Sequence, residues 1–136
     1  NLRGYTGWFP ELDNESNRAF NVFYKEAKAK DPNLFSMQGW EVGLLLMNAW
    51  KKREAKQRVP DVIREMQTQT IDSPRGALRL QPDYTVTAPA YLVSTAEDGL
   101  LIVEDTIEET GEGYRQMLDL IPDSPSSSWV NTYLCI

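Results

Sequence analysis

The sequence predicts an α+β domain: about three helices followed by a small, mainly antiparallel sheet. Three observations carry this expectation. Between residues 15 and 67, apolar side chains recur at three- and four-residue spacing in separate stretches, the pattern of amphipathic helices. Residues 71–103 then change character, with Leu78 and Leu80 alternating with Ala77 and Arg79 after the Ser73-Pro74 and Gly76 breaks. Within that stretch Glu97-Asp98-Gly99 separates two apolar runs, 88–94 and 100–103. An Asp-Gly between such runs marks a hairpin, because glycine takes the positive φ the turn needs.

The elements follow in order. Residues 1–12, NLRGYTGWFPEL, are dense in aromatics and glycine and read as an extended segment closed by Pro10. Trp8 and Phe9 read as core anchors there, with a ligand-facing role as the alternative. Asp13 or Asn14 is placed to cap a first helix over about 15–30, whose stripe is Ala19, Phe20, Phe23, Tyr24 and Ala27. Lys25, Lys28 and Lys30 sit at its C-terminal end, where cations complement the helix dipole. Asp31-Pro32-Asn33 stops it.

Ser36 is then expected to cap a second helix over about 37–53, the most apolar segment of the chain. Trp40, Leu44, Leu45, Leu46, Met47, Ala49 and Trp50 cover most of its circumference, so it should be buried on more than one side. Gly39 and Gly43, four apart, leave a smooth strip where another backbone can approach. The basic run at 51–56 reads as a solvated helix end. A third helix over 59–67 tolerates Pro60 in its first turn and shows Val62, Ile63 and Met66 on one face. Residues 70–74 read as a connector into the strand run. After Val103 the pattern weakens into an acidic patch (Glu104, Asp105, Glu108, Glu109, Glu112). A short helix over 114–121, a PDSPSSS loop and a final strand over 129–136 complete the expectation.

Composition bounds the function. The chain has 136 residues, enough for one domain, with 41% hydrophobic and 25% charged residues, the balance of a globular protein. A net charge of −6 argues against a nucleic-acid partner, since phosphate backbones are held by clustered Lys and Arg. The longest apolar run, 42–47, is too short for membrane insertion. There is no histidine, which removes Ser-His-Asp and Cys-His catalysis and His-ligated zinc. The single cysteine, Cys135, forms no intrachain disulfide and no Cys-based metal site. Gly111-Glu112-Gly113 lacks the spacing of a phosphate loop. The acidic group after Val103 lacks the alternation of an EF-hand and reads as solvated surface. No catalytic residue, cofactor or metal is expected, and the protein is not expected to be an enzyme.

Four motifs occur in order: NESNRAF at 14–20, opening a helix; an aromatic- and Ala-containing helix with Trp40, Ala49 and Trp50 that ends in a basic stretch; Asp72, Pro74, Gly76, Leu78, Leu80 and Pro82 in a D-x-P-x-G-x-L-x-L-x-P arrangement; and Asp98-Gly99-Leu100 at a strand turn. Over residues 4–105 this series resembles the C-terminal portion of the type I periplasmic solute-binding proteins of ABC transporters, in the branch that binds branched-chain amino acids, amides and urea. The resemblance implies a fragment of an α/β lobe over 1–106, with 107–136 as an extension packing on it or on a partner chain.

Family members have two lobes with ligand in the cleft and a hinge crossed three times. The segment from Tyr5 to Phe9 would lie at a hinge crossing, which makes Tyr5, Trp8 and Phe9 the ligand candidates. Past Asp105 the likeness fades, since the family's Pro-rich run is replaced by EETGEGY at 108–114. The implied function is binding of a small molecule, with an ABC permease as partner only within a complete binding protein. The implied location is periplasmic or extracellular, although no signal-peptide pattern opens the chain. The alternative is a stand-alone oligomeric module that has lost its ligand. In either case the apolar second helix and the apolar C-terminal segment lead us to expect a homo-oligomer, with copies covering each other.

Overall fold

Two small antiparallel sheets and three helices form the structure, a computed structural model that describes residues 2–53 and 58–111. The expected helix at 114–121, the loop after it, the 129–136 strand and Cys135 lie outside the described residues, as do residues 54–56 of the basic run.

Strand β1 (Arg3–Thr6) is followed by helix α1 (Glu15–Lys28). Asn14 caps α1 by accepting from the Asn17 N–H at 2.8 Å, and Ala29 ends it in the left-handed region at φ 52°. Helix α2 (Leu34–Lys51) starts earlier than expected. Its cap is Asn33 rather than Ser36: Asn33 Oδ1 accepts from Ser36 N at 3.0 Å, while Ser36 Oγ accepts from Asn33 N at 2.7 Å. This reciprocal box places Ser36 inside the first turn. Helix α3 (Val59–Gln67) has the expected bounds, with Asp61 Oδ2 accepting from Arg58 N at 3.0 Å to close its start.

The expected connector at 70–74 is instead a strand, β2 (Thr70–Ser73), paired in antiparallel register with β3 (Gly76–Leu80) across a two-residue turn of Pro74 and Arg75. Pairing decided this segment, because its partner begins immediately after the turn. The short strand β4 (Val86–Thr87) completes the first sheet, in the order β2-β3-β4. The second sheet joins β1 to β5 (Ala90–Thr95) and β6 (Leu101–Ile107), in the order β1-β5-β6. The Asp98-Gly99 hairpin lies between β5 and β6, with Gly99 at φ 86°. Strand β6 continues past Val103, and Thr110 ties the chain back by donating from both N and Oγ1 to Ala88 O.

The core has two parts. Trp8, Phe9, Leu12, Phe20, Met37, Tyr91 and Val93 form one, against the inner face of the β1-β5-β6 sheet. Leu45, Ile71, Leu78 and Ala88 form the other, between α2 and the β2-β3-β4 sheet. Helix α2 feeds both, and among the described residues it is covered on one side. Met37, Glu41, Leu45 and Ala49 are buried, and Trp40 and Leu44 pack partly against the two clusters. Phe35, Val42, Leu46, Met47 and Trp50 face solvent, contrary to the expectation of burial on more than one side.

Candidate functional site

The three aromatics singled out by sequence separate in space. Trp8 and Phe9 lie in the core. The Trp8 ring meets Phe20 edge-on at 6.1 Å, and its Nε1 donates to Asn17 Oδ1 at 2.8 Å. Asn17 is fully buried in the first turns of α1, and its Nδ2 donates to Pro10 O and Leu12 O, each at 2.8 Å. One amide thus satisfies three groups of the loop that leaves β1, fixing the path of residues 8–12.

Tyr5 stays on the surface at 66% exposure, in register with Leu92 of β5. Alternation along the strand puts Arg3 on the same face, in register with Ser94. Arg3 pairs there with Glu104 of β6. Hydrogen bonds from Ser94 and Arg3 hold the Glu104 carboxyl below its ordinary range. This outer face of the β1-β5-β6 sheet is therefore aromatic at Tyr5 and carries a compensated ion pair beside it.

The most elaborate polar arrangement is one that sequence reading did not single out. Glu41 is buried in the middle of α2. The Arg75 guanidinium grips it with two parallel hydrogen bonds, Nε to Oε1 at 2.7 Å and Nη2 to Oε2 at 2.6 Å, and the Ser73 hydroxyl donates to Oε1 as well. The turn that carries Arg75 is held from every side. Ser73 Oγ accepts from Arg75 N at 3.2 Å, Asn14 Nδ2 donates to Pro74 O at 2.9 Å, and the Tyr91 hydroxyl donates to Arg75 O at 2.6 Å. Burial first, and the Glu108 charge second, raise the Tyr91 phenol above 10.0 and keep it a donor.

Gly76 closes the turn at φ 110°, and a Cβ there would lie 2.9 Å from Pro89 Cγ and 3.2 Å from Tyr91 Oη. The D-x-P-x-G motif is thus a joint where α1, α2 and both sheets meet. Its glycine is required by both the conformation and the close approach. The available signal was Glu41 itself, the lone charge in α2 before Lys51.

Other charges pair at the surface, including Arg79 with Glu109 at 3.5 Å. Among the described residues, no group of three or more His, Cys, Asp or Glu is arranged to hold a metal. Among the same residues, no helix is long and apolar enough to cross a membrane. Two open depressions of about 480 and 490 Å³ lie along α1 (Glu15, Arg18, Val22, Phe23) and beside the end of α2 (Asn48, Lys52, Gln69). Neither is lined by Tyr5, Trp8 or Phe9.

A family model described as "periplasmic binding protein" matches residues 1–99. No curated protein matches the chain. Solved structures do match. An ABC-transporter solute-binding protein from R. palustris in complex with benzoate is similar at 23% identity and TM-score 0.64, over 82% of this chain and 31% of its own. One from Rhodopseudomonas palustris BisB5 in complex with 3,4-dihydroxybenzoic acid is similar at 19% identity and TM-score 0.71, over 84% and 32%. A leucine-binding protein from Thermotoga maritima matches at 18% identity and TM-score 0.59, over 79% and 31%. The chain spans about a third of the length of these solved structures.

Proposed function

Because the chain belongs to the periplasmic binding protein family, whose model matches residues 1–99, we propose that it is a non-enzymatic solute-binding domain of an ABC import system. The family match is the observation that carries this reading. The solute is a small polar organic molecule of the amide, urea or amino-acid class. The site of action is periplasmic or extracellular, and the permease is a partner where the domain stands within a complete two-lobed protein.

Tyr5 is the sequence-chosen aromatic that faces solvent, so it is the one we assign to ligand contact. A phenol offers both a flat apolar face and a hydroxyl, which suits a small solute with an apolar body and a polar head. Trp8 and Phe9 serve the same site from behind, by fixing the loop that follows β1.

Thermal-shift titration with urea, acetamide, leucine and benzoate tests the reading. Saturable stabilisation by one of them, reduced in Tyr5→Ala, is expected, since a ligand that binds only the folded state raises Tm by mass action. A flat response to the whole panel would count against it.

The exposed apolar side of α2 favours a second reading, a self-associating assembly module that keeps the fold without the ligand. Self-association is compatible with either reading, and the thermal-shift panel decides whether the ligand is kept or lost.

A further inference from the structure

Strand β1 is four residues long and, among the described residues, pairs with one neighbour, β5. The register of a short strand with one neighbour is weakly held by its ladder, and a slip of one residue would turn Tyr5 from the outer face of the sheet to the inner. Buried contacts at the C-terminal end of β1 fix where it stops. Trp8 supplies one of them, through its core-bound ring and its bond to Asn17.

The Pro74–Arg75 turn supplies the other, from two directions. A Cβ on Gly7 would lie 3.7 Å from Arg75 Nη1, so the guanidinium stands beside the residue that follows β1. The Tyr91 hydroxyl donates to Arg75 O at 2.6 Å, and Tyr91 is the register partner of Thr6, the last residue of β1. Arg75 thus borders the end of β1 with its side chain and holds the facing residue of β5 with its carbonyl. It is itself fixed. Glu41 takes Nε and Nη2 in two parallel hydrogen bonds, and a planar guanidinium held by both has its third nitrogen set as well. That third nitrogen is the one beside Gly7.

We propose that Arg75 is a positioning residue for the solute-contacting strand: it sets the register of β1, and with it the face on which Tyr5 stands. The inference rests on the assignment of Tyr5 to ligand contact and adds what holds Tyr5 in place. A buried charge in α2 is thereby coupled, through Arg75, Tyr91 and Thr6, to the outer face of the β1-β5-β6 sheet.

Amide hydrogen exchange and solute titration, both followed by NMR on the full chain, test it in Tyr91→Phe, Arg75→Lys and, as a control for general destabilisation, Gly99→Ala. Tyr91→Phe removes one hydroxyl and keeps the ring in the core, so it reports on the joint where Arg75→Lys weakens the whole fold; circular dichroism verifies folding of each. In the two joint variants, protection of the β1 amides paired with β5 should fall about tenfold further than that of the β6 amides, whereas in Gly99→Ala β1 should lose no more than β6. Whichever of leucine, benzoate, urea and acetamide saturates the wild type should bind about fivefold more weakly to both joint variants, and within about twofold of wild type to Gly99→Ala. Protection of β1 that falls only in step with β6 would overturn the positioning role. An unchanged Kd in both joint variants would overturn it too, with the ligand reading left standing. Selective loss of β1 protection in a chain that binds none of the four solutes would overturn the ligand reading and leave the register role standing.

Discussion

Removing the Arg75 guanidinium should cost the fold about 3 kcal/mol. In Arg75→Met the Glu41 carboxylate, whose side chain is 5% exposed, keeps only the Ser73 hydroxyl and loses two charge-assisted hydrogen bonds of 2.7 and 2.6 Å. Breaking a buried pair by deleting one partner typically costs about 3–5 kcal/mol, because the remaining charge is stranded. The low end applies here, since the Arg75 side chain is 19% exposed and water can reach its former place. Against a total stability of about 5–15 kcal/mol, such a loss is easily measured.

The control is the double variant Glu41→Met with Arg75→Met, in which no charge is left buried. Apolar replacement of both partners should bring stability back to within about 1–2 kcal/mol of wild type. Urea unfolding, followed by tryptophan fluorescence and circular dichroism, gives each value and the coupling of the cycle. A loss below about 1 kcal/mol in Arg75→Met, or a strictly additive cycle, would refute the joint described above.

Gly76→Ala should destabilise by about 2–4 kcal/mol, combining positive-φ strain with a Cβ 2.9 Å from Pro89 Cγ, whereas Gly99→Ala, at φ 86° in open space, should lose only about 1 kcal/mol of backbone strain. Urea midpoints of the two variants check the order. Asn17→Ala should cost about 1–3 kcal/mol, because it orphans the buried Trp8 N–H and takes one of two donors from each of the Pro10 and Leu12 carbonyls, read as a loss of denaturation midpoint. The Tyr91 phenol holds its proton more tightly folded than unfolded, so its contribution is fully present below 10.0 and is lost as pH rises through the raised folded pKa. Stability of the wild type should therefore fall relative to Tyr91→Phe only above about pH 10, and a parallel decline of both chains there would count against the assignment.

Local chemistry made part of this fold legible. Helix α3 was readable because Pro60, Asp61 and the Val62, Ile63 and Met66 face all agree on the same boundaries. The β5–β6 hairpin was readable because Gly99 occupies a conformation few other residues accept. Asn33 and Ser36 could each cap a helix, and only their reciprocal hydrogen bonds show which lies outside it. Thr70–Ser73 has too few residues to display a period, and it becomes a strand through pairing with Gly76–Arg79. Glu41 and Arg75 are 34 positions apart, and no local pattern announces that a lone carboxylate in an apolar helix will meet a turn arginine. Trp8 and Phe9 were readable as anchors from their size, but the separation of Tyr5 from them depends on strand alternation at the edge of a sheet, where its register partner Leu92 lies far along the chain.

For this member of the periplasmic binding protein family, we propose a solute-binding surface around Tyr5. Amide chemical-shift mapping by NMR during titration with leucine, urea, acetamide and benzoate tests it most directly. Saturable shifts are expected for at least one solute, concentrated on Arg3–Thr6 and the facing residues of β5. It would be contradicted if no solute produced saturable shifts, or if they clustered away from β1 and persisted unchanged in Tyr5→Ala.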